Sequence, residues 1–170
     1  VFAFTYGEVA GARATISRIL RSGEDGFDVL VPPQSALRVW QAILQEGGDA
    51  GVVPAGQGAL RTLRLEAGWR RYGADIDETT SVLEAGLESI IAWDKGDFSG
   101  KAALAEQKAA GLSRRLVGFE MLDTAVAEQG CDAYAGGAKA GVVTSGAEAP
   151  HLKKAIGLAY LPIAHTEPGT

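Results

Sequence analysis

Apolar and polar positions alternate over the first thirty residues. In residues 12 to 19, Ala12, Ala14 and Ile16 fall on one face of a strand, and Arg13, Thr15 and Ser17 fall on the other. Residues 2 to 5 have the same strand character, with Gly11 separating the two segments. The run Ser22-Gly23-Glu24-Asp25-Gly26 reads as a turn that leads, as in a hairpin with a longer loop, into a strand over residues 27 to 31. Phe27, Val29 and Val31 share one face of that strand, while Asp28 and Leu30 share the other. An acid therefore stands inside a strand, beside a leucine, although two acids already occupy the turn before it.

Pro32-Pro33 ends this strand, and the periodicity changes from two to that of a helix. Ala36, Leu37, Trp40, Ile43 and Leu44 form an apolar stripe at helical spacing, Pro33 suits a first turn, and Gly47-Gly48 stops the helix. A second helix is predicted over AGQGALRTLRLEAG, with Leu60 and Leu63 inward, Arg61 and Arg64 outward, and Gly68 closing it. Residues 69 to 85 read as an extended loop, and residues 86 to 93 as a strand. Ser99 is the expected N-cap of a helix that ends at Gly111. Beyond it the character shifts to short strands at 114 to 121, 141 to 146 and 155 to 161, set between glycine-rich turns. The pattern predicts an α+β domain over residues 1–112, followed over residues 113–170 by the start of an all-β sheet or barrel.

Composition narrows the function classes. The hydrophobic fraction of 46% allows a real core, and the charged fraction of 22% is ordinary. With a net charge of −5 and no basic cluster longer than Arg70-Arg71, the chain lacks the footprint of a nucleic-acid binder. No apolar run approaches the ~20 residues of a membrane span. One cysteine, Cys131, excludes an internal disulfide, and two isolated histidines, His151 and His165, do not suggest zinc. A reducing, cytoplasmic setting is expected, with Cys131 an inert packed thiol. The first residue is Val1 and strand-like sequence follows at once, as expected of a chain cut from something longer; Glu167 to Thr170 is a turn signal that leads towards a further strand.

Most candidate sites have plain structural readings. Gly56-Gln57-Gly58 lacks the third glycine of a dinucleotide loop, since Arg61 stands there, and reads as a helix-entry turn. Asp75, Asp77, Glu78 and Glu84 do not match calcium-loop spacing, and a solvated loop is expected for three of the four. Tyr72 and Trp69 read either as core aromatics or as walls of a cavity, and Lys153-Lys154 as a solvated strand edge. No nucleophile elbow is present. Asp28 is different: a carboxylate on a strand either faces solvent or is held by specific donors. Pattern alone leaves both open.

The succession SGEDGFDVLV, GALRTLRLEAG, RRYGADIDETTSVLEAGL, DFSGKAAL, RRLVGFEM, GVVTSG and LKKAIGLAYL resembles the aminomethyltransferase (T protein) superfamily of the glycine cleavage system. The resemblance covers essentially the whole chain. It implies a portion of a ferredoxin-like folate-binding domain and the start of a small C-terminal β-barrel. It also implies tetrahydrofolate as the cofactor and a lipoyl-bearing H protein as a partner of the parent enzyme. In the family, an acid in the strand after the GEDG turn reads the pterin ring, and Asp28 occupies that place. A carboxylate can accept two N–H bonds from the ring's amino-amide edge. Aspartate is one methylene shorter than the family's usual glutamate.

Arg21 stands where the family usually has tyrosine, and it would meet a glutamate tail or stack on a ring. Leu60 occupies the place of the family's tail-binding arginine, with Arg61 one residue, or about 100°, further round the helix. Tyr72 and Trp69 would wall the cavity. The run Lys95-Gly96-Asp97-Phe98 lacks the cysteine of the relatives tied to iron–sulfur assembly.

Three readings follow. The first is tetrahydrofolate-dependent aminomethyl transfer, as part of a T-protein-like enzyme. The family's main catalytic aspartate lies upstream of these residues, so no catalytic residue is assigned and this chain alone is expected to turn over little or nothing. The second is a tetrahydrofolate-dependent demethylase, or the folate domain of a sarcosine-type dehydrogenase. The third is a non-catalytic folding or assembly module that forms a homo-oligomer through exposed strand edges.

Overall fold

A two-residue turn sets the register of the first sheet. Ala10 and Gly11 both have positive φ, 50° and 70°, as in a type I′ hairpin, whose twist matches that of the strands it joins. The computed structural model describes residues 3–169. Strands β1 (Phe4–Val9), β2 (Ala12–Ile19) and β3 (Gly26–Leu30) form an antiparallel sheet in that order. The strand expected at residues 2 to 5 therefore begins at Phe4 and runs on to Val9; Phe2 lies outside the described residues. Pairing Val9 with Ala12, Tyr6 with Thr15, Thr15 with Leu30 and Ser17 with Asp28 puts Tyr6, Thr15, Ser17, Asp28 and Leu30 on one face. Ala12 and Ala14, on the opposite face, are buried.

The first helix, α1 (Ala36–Gly47), follows a short 3-10 turn at Pro33–Ser35. Its buried residue is Val39, whereas Leu37, Trp40 and Ile43 of the apolar stripe are exposed. The stripe exists, but it faces away from the core of this unit. In α2 (Gln57–Glu66) the expected orientation also shifts: Leu65 and Arg64 are buried, Leu63 is exposed, and Arg61 is exposed as foreseen. These elements belong to the first of two compact units, Val1–Ala67.

The second unit, Gly68–Thr170, carries a four-stranded antiparallel sheet. Its strands are β4 (Arg114–Glu120), β5 (Asp132–Ala135), β6 (Ala138–Ala149) and β7 (Lys154–Pro162), in the order β4-β7-β6-β5. Leu116, Val143, Ile156, Leu158 and Tyr160 are among its core residues. The sheet is closely covered at its glycines: a Cβ on Gly146 would lie 1.8 Å from the Ala127 carbonyl oxygen, and one on Gly157 2.3 Å from the Phe119 ring. β7 is an interior strand, so Lys154 opens a central strand rather than an edge, and it pairs with Glu120. Cys131 is exposed rather than packed.

No strand forms at residues 86 to 93. Gly86 has φ +66°, and Leu87, Glu88, Ile90 and Ile91 close successive turns, with a 3-10 helix at Glu88–Ile90. Leu87 and Ile90 are three residues apart, which is turn spacing and not strand spacing. The next helix, α3 (Lys101–Ala110), is preceded by Gly100 at φ +90° with no side-chain cap, so Ser99 is not its N-cap.

The loop over residues 69 to 87 is pinned to the sheet by acids. Asp75 is 1% exposed. It accepts hydrogen bonds from Thr144 Oγ1 at 2.7 Å, Ser145 Oγ at 2.5 Å and the Arg71 amide at 2.8 Å, and its carbonyl accepts from Tyr160 Oη at 3.0 Å. Glu84 accepts from Arg114 Nε at 2.9 Å and from the Ser81 amide at 3.0 Å, while the Leu116 amide donates to the Glu84 carbonyl at 2.8 Å. Burial pushes the Glu84 carboxyl up, but the bonds from Arg114 and Ser81 outweigh it and leave the group below the usual glutamate value. Of the four acids in this stretch, only Asp77 and Glu78 are solvated.

Among the described residues, no helix is long and apolar enough to cross a membrane.

Candidate functional site

Strand parity decides where Asp28 points. It sits at the middle of β3, opposite Ser17, on the face that also carries Tyr6, Thr15 and Leu30. An open groove of about 650 Å³ lies on that face, lined by Tyr6, Glu8, Arg13, Thr15, Leu30 and Pro32 with neighbouring backbone. Asp28 is two residues from Leu30 along the strand and outside the groove lining itself. Its side chain is 32% exposed, so the carboxylate is neither sunk in the core nor free in water.

The partner of Asp28 is Arg21. Arg21 Nε lies 3.2 Å from Oδ1 and 3.1 Å from Oδ2, and its Nη2 lies 2.6 Å from Oδ2. The guanidinium thus engages both carboxylate oxygens. Its hydrogen bond to Asp28, aided by the charge, raises the arginine above its ordinary pKa. The turn between β2 and β3 makes this possible, because it returns the chain so that Arg21 and Asp28, seven residues apart, meet. Glu24 and Asp25 stay in the turn, and Asp25 accepts from Arg18 Nη2 at 2.6 Å.

Of the five residues singled out in the sequence, Arg21 and Asp28 are brought together. Arg61 is exposed on α2 of the same unit. Trp69 and Tyr72 belong to the second unit; both are exposed, so neither is a core aromatic, and Tyr72 Oη donates to Glu78 Oε2 at 3.2 Å. Tyr6, Glu8 and Arg13 were not foreseen. The Ala10-Gly11 turn is the signal that would have found them: once it fixes Val9 opposite Ala12, Glu8 falls opposite Arg13 and Tyr6 opposite Thr15. Among the described residues no cluster of three or more metal-ligating side chains exists. What the site offers chemically is a strand-borne acceptor for two N–H groups beside a groove of mixed lining, with Tyr6, Leu30 and Pro32 apolar and Glu8, Arg13 and Thr15 polar.

An α+β chain of this kind, with an acid on one sheet and a separate antiparallel barrel-like sheet, defines a class that the comparisons with known proteins resolve. Residues 1–95 match the GCVT N-terminal domain, and residues 114–170 match the glycine cleavage T-protein C-terminal barrel domain. The chain belongs to the glycine cleavage T-protein family of aminomethyltransferases. An aminomethyltransferase of Halothermothrix orenii is 45% identical over 98% of this chain and 46% of its own length. One from Picosynechococcus is 46% identical over 96% of this chain and 44% of its own. The crystal structure of the glycine cleavage system aminomethyltransferase T from Bartonella henselae superposes with a TM-score of 0.80 at 32% identity, over 89% of this chain and 42% of that one. The chain spans less than half the length of these relatives.

Proposed function

We propose that this chain supplies the pterin-reading part of a tetrahydrofolate-dependent aminomethyltransferase, with Asp28 accepting two N–H bonds from the ring. The observation that carries this reading is the position of Asp28: mid-strand, beside a groove, with both oxygens already held by a planar two-donor group. Family membership supports the same ligand. Arg61 would then meet the carboxylate tail, and a lipoyl-bearing H protein would deliver the aminomethyl group to the complete enzyme. A family-domain boundary near residue 112 is proposed on the gap of residues 96 to 113 between the two family matches, whereas the compact units divide at Gly68.

Titration calorimetry with 5-formyltetrahydrofolate tests the assignment. Asp28→Ala should weaken binding by about 1.5 to 3 kcal/mol, the loss of a charged acceptor from paired donors. Equal binding by wild type and variant would remove Asp28 from the site.

One observation favours the folate-dependent demethylase or sarcosine-type reading for the parent. On α2, Leu60 is half-buried and Arg61 is exposed, so the arginine leaves the helix from a different side than the family's tail-binding residue. Assaying the parent enzyme with loaded H protein against methylated amines separates the two.

A further inference from the structure

We infer that Arg21 is a built-in competitor for the Asp28 carboxylate, so that a ligand enters the site only by displacing it. The inference rests on the pterin reading above. A guanidinium edge and the edge of a pterin formed by its 2-amino group and N3–H both present two near-parallel N–H donors to a carboxylate. Arg21 Nη2 lies 2.6 Å from Asp28 Oδ2, and Nε lies between the two oxygens, 3.1 Å from Oδ2 and 3.2 Å from Oδ1. A ring bound edge-on to both oxygens needs the carboxylate edge that the guanidinium covers, so a two-donor ring displaces it.

The two partners are not equally anchored. Asp28 is fixed in a sheet strand, and its side chain is 32% exposed; Arg21 sits in the turn between strands with its side chain 65% exposed. Releasing the arginine therefore breaks one solvated ion pair and disturbs no core. A ring with two donors replaces both lost bonds, whereas a ring lacking the 2-amino group replaces one and leaves an oxygen unserved. Arg21 thus sets specificity: it raises the threshold for every ligand and excludes single-donor heterocycles.

Binding of 6-hydroxymethylpterin, a ring without a glutamate tail, tests this in wild type, Arg21→Ala, Asp28→Ala and Arg18→Ala. Arg18 is the control, since it pairs with Asp25 at 2.6 Å in the turn and its loss changes the net charge equally. Arg21→Ala should bind the pterin about two- to fivefold more tightly, the range of a solvated ion pair. Arg18→Ala should bind as wild type does. Equal or weaker binding by Arg21→Ala, while wild-type binding depends on Asp28, overturns the competitor role and leaves the pterin reading intact. Equal tightening in Arg18→Ala also overturns it, because net charge would then be the cause. Absence of binding in both wild type and Arg21→Ala overturns the pterin reading and this inference with it.

Discussion

Asp75 and Asp28 show how two aspartates in one chain acquire opposite duties. Asp28 is held by one guanidinium at the surface of a strand. Asp75 is 1% exposed and serves hydroxyls from Thr144 and Ser145. Removing its carboxylate takes an acceptor from Ser145 Oγ and the Arg71 amide, while Thr144 Oγ1 keeps the Leu158 carbonyl at 3.2 Å. Asp75→Ala should cost about 2 to 4 kcal/mol of stability in residues 68–170, read as a lower urea midpoint; an unchanged midpoint would mean that water takes over the carboxylate's bonds. The sequence singles out Asp28 through its place in an alternating strand. It cannot single out Asp75, whose partners lie 69 and 70 positions further along the chain.

Among the elements, the β1–β2 hairpin is the clearest case of local chemistry that can be improved. Ala10 is a non-glycine residue at φ 50°, a left-handed conformation that asparagine accepts more readily than alanine. Ala10→Asn should raise the stability of the first unit by about 0.5 to 1 kcal/mol, and thermal unfolding followed by circular dichroism would detect the gain. Elements whose signals are local were legible: three strands of the first sheet, all three helices and three of the four later strands follow from periodicity and from glycine or proline stops. β5 was missed because it is four residues long, although Gly136-Gly137, both at positive φ, mark the turn that pairs it with β6. The direction a helix faces was less legible than the helix itself. The α1 stripe is plain in the sequence, yet Val39 is the buried residue and Trp40 is 51% exposed. An apolar stripe shows that a face wants cover and is silent on what supplies it.

Across the whole molecule, acidic groups tie stability to pH. Glu84 is held below its usual value of 4.5, as Arg114 and Ser81 overcome its burial. Asp77, through Thr79, and Glu88, through Lys108, shift the same way. A carboxyl depressed in the folded state contributes stability above its unfolded value, and that contribution fades as pH falls below about 4.5. The midpoint of unfolding should therefore hold between pH 7 and pH 5 and drop as pH falls below about 4.5, and Glu84→Gln should flatten that drop; an identical acid slope in the variant would place the linkage elsewhere. The fastening of residues 69 to 87 onto β4, β6 and β7 also bears on how the coding sequence can be divided. Severing it at residue 112 parts Asp75 from the hydroxyls that donate to it and takes from Leu116 the carbonyl its amide bonds to. A cut ahead of Gly68 keeps every one of those partners on the same polypeptide, so the sheet that begins at Arg114 carries its own clasp some forty residues upstream.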